Sequence, residues 1–331
     1  MDTKIFNILN LLEENNYESY IVGGYVRDFI LNKKSYDIDI ATSATVKEMS
    51  NFLNGNASSA HYGALKINNP PYNIDITTFR RELSYQKRNP TVCYIKDVKE
   101  DILRRDFTIN AILMDKNGNI IDYLGGIQDI RDKKIKCIGN PNEKFQDDPL
   151  RMLRALRFHA TLGFNIEPAT LNAIKKYKEL LSTLSKTRIK SEFDKILLST
   201  NAVKAMDYMK KLGILKILDI NYKKIVKVDD LCGMYAQIDL AADFPFTKKE
   251  QSNIKTIQKI LKYGKIDNTV IYEHGLYFAM ITGLIKGKKR TAIVKQEKNI
   301  PIHNRKEINI TFDELINLGI PKNKINAVYT I

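Results

Sequence analysis

The chain has 331 residues and is 44% apolar, enough to bury a sizeable core in more than one structural unit, which excludes a wholly disordered protein. Lys and Arg number 53 against 38 Asp and Glu, a formal charge of +15 that favours a polyanionic partner, although Lys-, Asn- and Ile-rich genomic bias accounts for part of it. Cys93, Cys137 and Cys232 make neither a CxxC pair nor an even disulfide set, and with no basic-then-apolar leader and no run long enough to span a bilayer, the expectation is a cytoplasmic protein without a membrane partner.

Ile5 to Glu13 has helical spacing, and Tyr20 to Val22 reads as a short buried strand ending at Gly23-Gly24, where the chain changes direction. A helix from Tyr25 to Leu31, a strand from Tyr36 to Ala41, a helix from Thr45 to Leu53 and strands over Ala64 to Ile67 and Tyr72 to Phe79 follow, giving an α+β head. His61-Tyr62-Gly63 reads as a turn into the Ala64 strand. From about Pro141 strand signals thin out. Amphipathic patterns over Leu150 to Leu162, Ala169 to Leu181, Lys186 to Leu198, Ala202 to Leu212, Phe246 to Lys262 and Tyr272 to Ile285 predict an all-helical second part, with Ile300 to Ile331 the least readable stretch.

Several segments carry chemistry. In Tyr36-Asp37-Ile38-Asp39-Ile40 the two-residue period of a strand puts Asp37 and Asp39 on one face and the isoleucines on the other. Two adjacent carboxylates repel each other, and Mg²⁺, which prefers hard oxygen ligands, relieves that repulsion and bridges to nucleotide phosphates; taken alone, the pair equally suits a solvated strand face. The turn Val22-Gly23-Gly24-Tyr25-Val26-Arg27-Asp28 offers backbone N–H groups for close approach to phosphate and Arg27 to clamp it, or simply a tight connection. Asp75, in Asn73-Ile74-Asp75-Ile76-Thr77, is a candidate third carboxylate.

Arg104-Arg105-Asp106-Phe107-Thr108-Ile109-Asn110 sets two guanidinium groups beside an acid, for triphosphate contact or as a surface ion pair. A helix beginning near Asp147-Asp148-Pro149 places Asp148, Arg151, Arg154 and Arg157 at every third residue, one slanting polar row. Such a row is commonly solvated, but three Arg and no Lys suit recognition of bases and phosphates. His61, His159, His274 and His303 lack metal-ligand spacing.

In order, Gly23-Gly24-Tyr25-Val26-Arg27-Asp28, Asp37-Ile38-Asp39, Arg104 to Ala111 and Asp148-Pro149-Leu150-Arg151-Met152-Leu153-Arg154-Ala155 resemble the successive motifs of the class II tRNA nucleotidyltransferases, with Lys186-Thr187-Arg188-Ile189 and Glu192 similar to the motif that closes the family's neck. The resemblance implies a polymerase-β-like nucleotidyltransferase head over 1–138, a helical neck for nucleobase recognition over 139–200, a helical body over 201–265 and a short tail over 266–331 that binds tRNA. It also implies CCA addition to the 3′ end of tRNA from CTP and ATP. Asp37 and Asp39 would bind catalytic Mg²⁺, while Asp75 is a candidate further catalytic acid from its strand position alone. Gly24, Arg27 and Arg105 would contact the triphosphate, Asp148 and Arg151 would read the base, and Arg154 and Arg157 would support the nucleotide. The chain departs from the family at Asp147, where Glu is usual, and in the loop from Glu82 to Pro90, which reads as one residue short. Poly(A) polymerase, CC-only or A-only addition, and an inactive RNA-binding protein are the alternatives.

Overall fold

The computed structural model describes the chain apart from residues 1–2, 59, 61–62, 87–88, 265, 303–306, 308–309 and 326–331. His61 and Tyr62 of the expected turn, His303 and the centre of the Glu82 to Pro90 stretch therefore lie outside the described residues. The chain divides into two compact units, Met1–Leu184 and Ser185–Ile331.

In the first unit α1 (Thr3–Glu14) buries Ile5, Ile8, Leu9 and Leu12, the stripe that helical spacing requires. Then come β1 (Ser19–Val22), α2 (Gly24–Ile30), β2 (Asp37–Thr42) and α3 (Val46–Met49). Thr45 and Glu48 close a reciprocal capping box at the start of α3, but the helix ends at Met49 instead of reaching Leu53. Next are β3 (Ala64–Asn69), β4 (Tyr72–Thr78), β5 (Arg80–Gln86), β6 (Asn89–Tyr94), α4 (Val98–Leu103), β7 (Leu113–Met114), β8 (Ile120–Ile121), α5 (Gly126–Arg131) and β9 (Lys134–Ile135). The unit closes with α6 (Pro141–Asp147), α7 (Leu150–Leu162), β10 (Asn165–Ile166) and α8 (Pro168–Tyr177).

Among the described residues, six strands form one mixed sheet in the order β3-β4-β2-β1-β7-β8. β2 runs parallel to β4 and antiparallel to β1, in a register that sets Asp37 opposite Asn73 and Asp39 opposite Asp75. Val22, Ala41, Phe79, Val98, Ile102, Ala111, Leu113 and Ile138 form one buried cluster in this unit. In its described residues, the stretch read as a loop from Glu82 instead belongs to the paired strands β5 and β6, whose register shifts between Glu82 and Ser84. Arg80-Arg81-Glu82 gives no apolar alternation from which a strand could be read.

The second unit holds α9 (Lys186–Leu198), α10 (Ala202–Lys211), α11 (Ile214–Ile217), β11 (Ile220–Asn221), α12 (Leu231–Tyr235), β12 (Asp239–Leu240), α13 (Lys248–Tyr263), α14 (Asn268–Ile285), α15 (Arg290–Lys298) and α16 (Phe312–Asn317). The expectation of an all-helical second part fails in detail: β11 pairs with β12, and β10 pairs in parallel with β9. Bridges of two residues are too short to leave a periodic signal. α13 starts from a Thr247–Glu250 capping box, and α14 is kinked at Gly275, whose φ is 85°. Tyr235 is buried against Phe193, Phe244 and Phe246 and donates its hydroxyl hydrogen to Asp194 at 2.6 Å.

Candidate active site

The paired carboxylates stand where strand alternation puts them. Ile38 and Ile40 are 1% and 0% exposed, whereas Asp37 and Asp39 face solvent. Asn73 Nδ2 donates to Asp37 Oδ1 at 3.2 Å. Asp39 is exposed as a residue, yet the protein around its carboxyl removes part of its hydration. That desolvation raises its pKa, Asp75 and Asp37 add to the rise, and Arg105 and Arg154 oppose it. Gly23 closes the other side of Asp39: its φ is 80°, and a Cβ there would come within 2.9 Å of Asp39 Oδ2. A side chain at this position is thus excluded by backbone conformation and by contact.

A pair of crowded carboxylates is the donor set that Mg²⁺ takes from a protein, the remaining sites being filled by water and substrate phosphate oxygens. Among the described residues no three His, Cys, Asp or Glu side chains assemble into a metal-holding group. Asp75 lies opposite Asp39 in the register, but its Oδ2 is paired with Lys66 Nζ at 3.3 Å.

Behind the carboxylates three of the sequence segments join in one buried polar network. Arg27, 8% exposed, donates from Nε and Nη2 to Asp28 Oδ1 and from Nη1 to Asn110 Oδ1 at 2.7 Å. Asn110 Nδ2 reaches Asp106 Oδ1 at 3.3 Å, and Arg154 Nε and Nη2 both approach Asp106 Oδ2 at 2.6 Å. The Phe158 ring sits among three guanidinium groups, with Arg157 at 4.0 Å, Arg27 at 5.3 Å and Arg154 at 5.7 Å from its centroid, and meets Phe107 edge-on. Burial works to raise the Asp106 pKa, but Arg154, Asn110 and the Phe107 N–H outweigh it and hold the carboxyl below its ordinary value.

Two alternatives left open by the sequence, a surface ion pair and a solvated row, do not hold. Arg104 and Arg105 do not pair with the neighbouring Asp106 at the surface. They grip Asp101, which is 0% exposed, through Arg104 Nε at 2.8 Å and Arg105 Nη2 at 3.0 Å. The helix α4 places Asp101 three and four residues before them, a spacing present in the sequence. Arg105 Nε is buried with no hydrogen-bond partner among the described residues, a donor that suits an anionic ligand.

The polar row of α7 is likewise neither solvated nor wholly on the helix. Asp148 has an extended backbone at the end of α6, and its Oδ1 accepts the Leu150 N–H at 3.2 Å, so the acid caps the helix start. Arg151 is 7% exposed and donates to Glu82 Oε2 at 3.3 Å, to the Lys144 carbonyl at 3.3 Å and to the Arg104 carbonyl at 3.2 Å. Glu82, Arg104, Lys144 and Asp147 line a cavity of about 270 Å³. His159 Nδ1 bonds the Phe164 carbonyl at 2.7 Å, a structural role.

Sequence reasoning missed Glu82, Asp101 and Phe158, and did not foresee the tight approach of Gly23 to Asp39. Of these, Asp101 had a readable signal and Phe158 a partial one, lying four residues after Arg154 on α7, whereas Glu82 meets Arg151 only through a tertiary contact.

Residues 19–136 match the family model described as the Poly A polymerase head domain, and residues 163–220 the one described as the probable RNA and SrmB- binding site of polymerase A. The CCA-adding enzyme of Bacillus cereus (strain Q1) is 31% identical over 96% of this chain and 89% of its own length. The fold is similar to that of the Bacillus stearothermophilus CCA-adding enzyme in complex with CTP, with a TM-score of 0.81 at 24% identity, covering 99% of this chain and 91% of the other. It is also similar to the Thermotoga maritima CCA-adding enzyme complexed with tRNA_CCA, with a TM-score of 0.70 at 23% identity, covering 100% and 90%.

The Asp106 pair has a pH signature. A carboxyl with a depressed folded pKa contributes stability above its unfolded pKa of about 3.9 and loses it as pH falls toward the folded value. Asp106→Ala should therefore cost about 3 kcal/mol of unfolding free energy near neutral pH, with a shrinking deficit in acid. Urea denaturation across a pH series checks this; a deficit independent of pH would contradict it.

Proposed function

Because the chain belongs to the CCA-adding enzyme family, we propose that it adds C and A nucleotides from CTP and ATP to the 3′ end of tRNA, without a nucleic-acid template. The observation that carries this reading is the convergence of the glycine turn, the Arg105–Asn110 segment and the α7 arginines on one network behind a carboxylate pair. The terminal 3′-oxygen of the RNA attacks the α-phosphorus of the incoming nucleotide, the bond to pyrophosphate breaks, and the hydroxyl proton leaves to solvent. Asp37 and Asp39 would hold Mg²⁺, which would supply the positive charge that makes the attacking hydroxyl easier to deprotonate and steadies the departing pyrophosphate.

Gly24 lets the backbone approach the triphosphate, and Arg27 and Arg105 supply its guanidinium contacts. Arg27 uses three of its five N–H donors on Asp28 and Asn110, which leaves two for phosphate among the described contacts and fixes their direction. Arg154 and Arg157 support the nucleotide, and Asp75 is retained as an auxiliary acid near Asp39. Asp148 and Arg151 read the base. Cytosine and adenine both present an exocyclic amino donor beside a ring-nitrogen acceptor, which a carboxylate and a guanidinium match, whereas uracil and guanine present the reverse. Engaging a base requires Arg151 to trade a bond to Glu82 or a carbonyl for the ring nitrogen.

The division into head (1–138), neck (139–200), body (201–265) and tail (266–331) is part of the same proposal, the positive charge serving phosphate contacts with tRNA. Among the described residues no helix is long and apolar enough to cross a membrane, and the three free cysteines suit the reducing cytoplasm we propose for it.

The test is product length: purified protein with Mg²⁺, each nucleotide singly and together, and tRNA transcripts ending before CCA, in CC, or complete. Growth by CCA and arrest there support the reading; long A tracts, or one nucleotide type only, would point to the poly(A) or partial activities. Asp37→Ala and Asp39→Ala should each lower incorporation by about a thousandfold or more while leaving the fold intact. Arg151→Ala should lose discrimination for CTP and ATP over UTP and GTP, which in the wild type is on the order of a hundredfold, because two mismatched buried polar groups cost about 1 to 3 kcal/mol each. Selectivity unchanged in Arg151→Ala would remove that residue from base reading.

A further inference from the structure

Phe158 stands at the centre of the arginine cluster, and none of the roles above uses it. Its ring is buried on α7, with the guanidinium carbon of Arg157 at 4.0 Å, that of Arg27 at 5.3 Å and that of Arg154 at 5.7 Å from the centroid. All three lie within the roughly 6 Å over which a ring attracts a cation, and exclusion of water strengthens that attraction. Helix spacing accounts for Arg154 alone, four residues before the ring. Adjacent residues on a helix ordinarily point apart, so the approach of Arg157 is not imposed by α7, and Arg27 arrives from α2. Like charges gathered at one place repel each other. Asp28 offsets Arg27 and Asp106 offsets Arg154. A further carboxylate at the centre would hold the cluster together but turn away a triphosphate, and an aliphatic side chain would fill the space without attracting any of the three. An aromatic ring attracts cations through its quadrupole and carries no net charge to repel an incoming anion.

Resting on the functional reading above, we infer that Phe158 is a positioning residue for nucleotide binding: its ring holds Arg27, Arg154 and Arg157 convergent, so that the triphosphate meets guanidinium groups already in place. The ring acts through the arginines and not on the substrate itself. Preorganisation of this kind lowers the entropy lost in ordering three long side chains at the moment of binding. Because the cluster addresses phosphates and not the base, the effect is the same for CTP and ATP, and base choice is left to Asp148 and Arg151. The ring is also a tie between α2 and α7 separate from the hydrogen bonds that run through Asn110.

Fluorine in place of hydrogen changes the size of the ring little and withdraws negative charge from its faces. Replacing Phe158 by its mono-, di- and trifluoro forms in the full-length protein therefore separates electrostatics from packing. Inorganic tripolyphosphate is the probe, with CTP and ATP beside it, in titrations without tRNA. The dissociation constants for all three should rise stepwise with each added fluorine, to about tenfold in the trifluoro form. The urea midpoint and the preference for CTP and ATP over UTP and GTP should stay where they are. Affinities that stay level or strengthen with fluorination, losses that follow the urea midpoint instead of the fluorine count, or a wild-type chain that does not bind tripolyphosphate would overturn the inference. A chain that binds tripolyphosphate with this dependence yet extends no tRNA would sink the functional reading and spare the role of the ring; one that extends tRNA while its tripolyphosphate affinity ignores fluorination would do the reverse.

Discussion

The Asp106–Arg154 pair is the contact on which the rest of the site depends. Asp106 is buried, and a carboxylate removed from water costs several kcal/mol unless its charge and lone pairs are met by partners. Arg154 meets the charge, while Asn110 and the Phe107 N–H take up lone pairs. Asn110 in turn fixes Arg27, so the orientation of the glycine turn and that of α7 are decided by one set of hydrogen bonds. Phe158 fills the space between the guanidinium groups and keeps that set dry on one side. An arrangement of this kind contributes less to net stability than to holding one geometry.

That dual use explains why the arginines of α7 are engaged by the protein rather than freely solvated, Arg151 being buried and Arg154 and Arg157 half-buried. A row of three guanidinium groups on an ordinary amphipathic helix would face water, but here the helix turns it against the head and each group finds an acid, a carbonyl or an aromatic face. Arg151 is held by Glu82 from the β5 hairpin, a segment far from α7 in sequence. The acid chosen as a partner for base reading, Asp148, is held at the helix start by the Leu150 N–H. Local structure thus fixes one member of the pair and tertiary contact fixes the other.

The sequence made the sheet face legible because alternation is a local rule. Asp37 and Asp39 between Ile38 and Ile40 could point only to one side, and the isoleucines could point only to the core. The order of the motifs likewise marked segments that the structure brings together in one network. What could not be read was pairing across long separations: that Asp106 would take Arg154 and leave Arg104 and Arg105 to Asp101, that Glu82 would hold Arg151, and that Arg27 would join the α7 arginines around the Phe158 ring. Adjacency in sequence suggested Arg105 with Asp106, yet helix geometry favours partners three and four residues apart, and α4 supplied one. The hairpin arms and the two-residue bridges escaped for a different reason, since neither carries a hydrophobic period.

If the network sets the glycine turn and α7 as one unit, residues at its two ends must act on nucleotide binding together although they do not touch. The direct test is a double-mutant cycle on CTP affinity with Asn110→Ala, Arg154→Ala and the combination, measured in the full-length protein. The account predicts that the double variant loses less than the sum of the single losses, by about 1 kcal/mol or more, because either change already releases Asp106. Losses that add to within about 0.5 kcal/mol would show that the turn and the helix are positioned independently, and would contradict it.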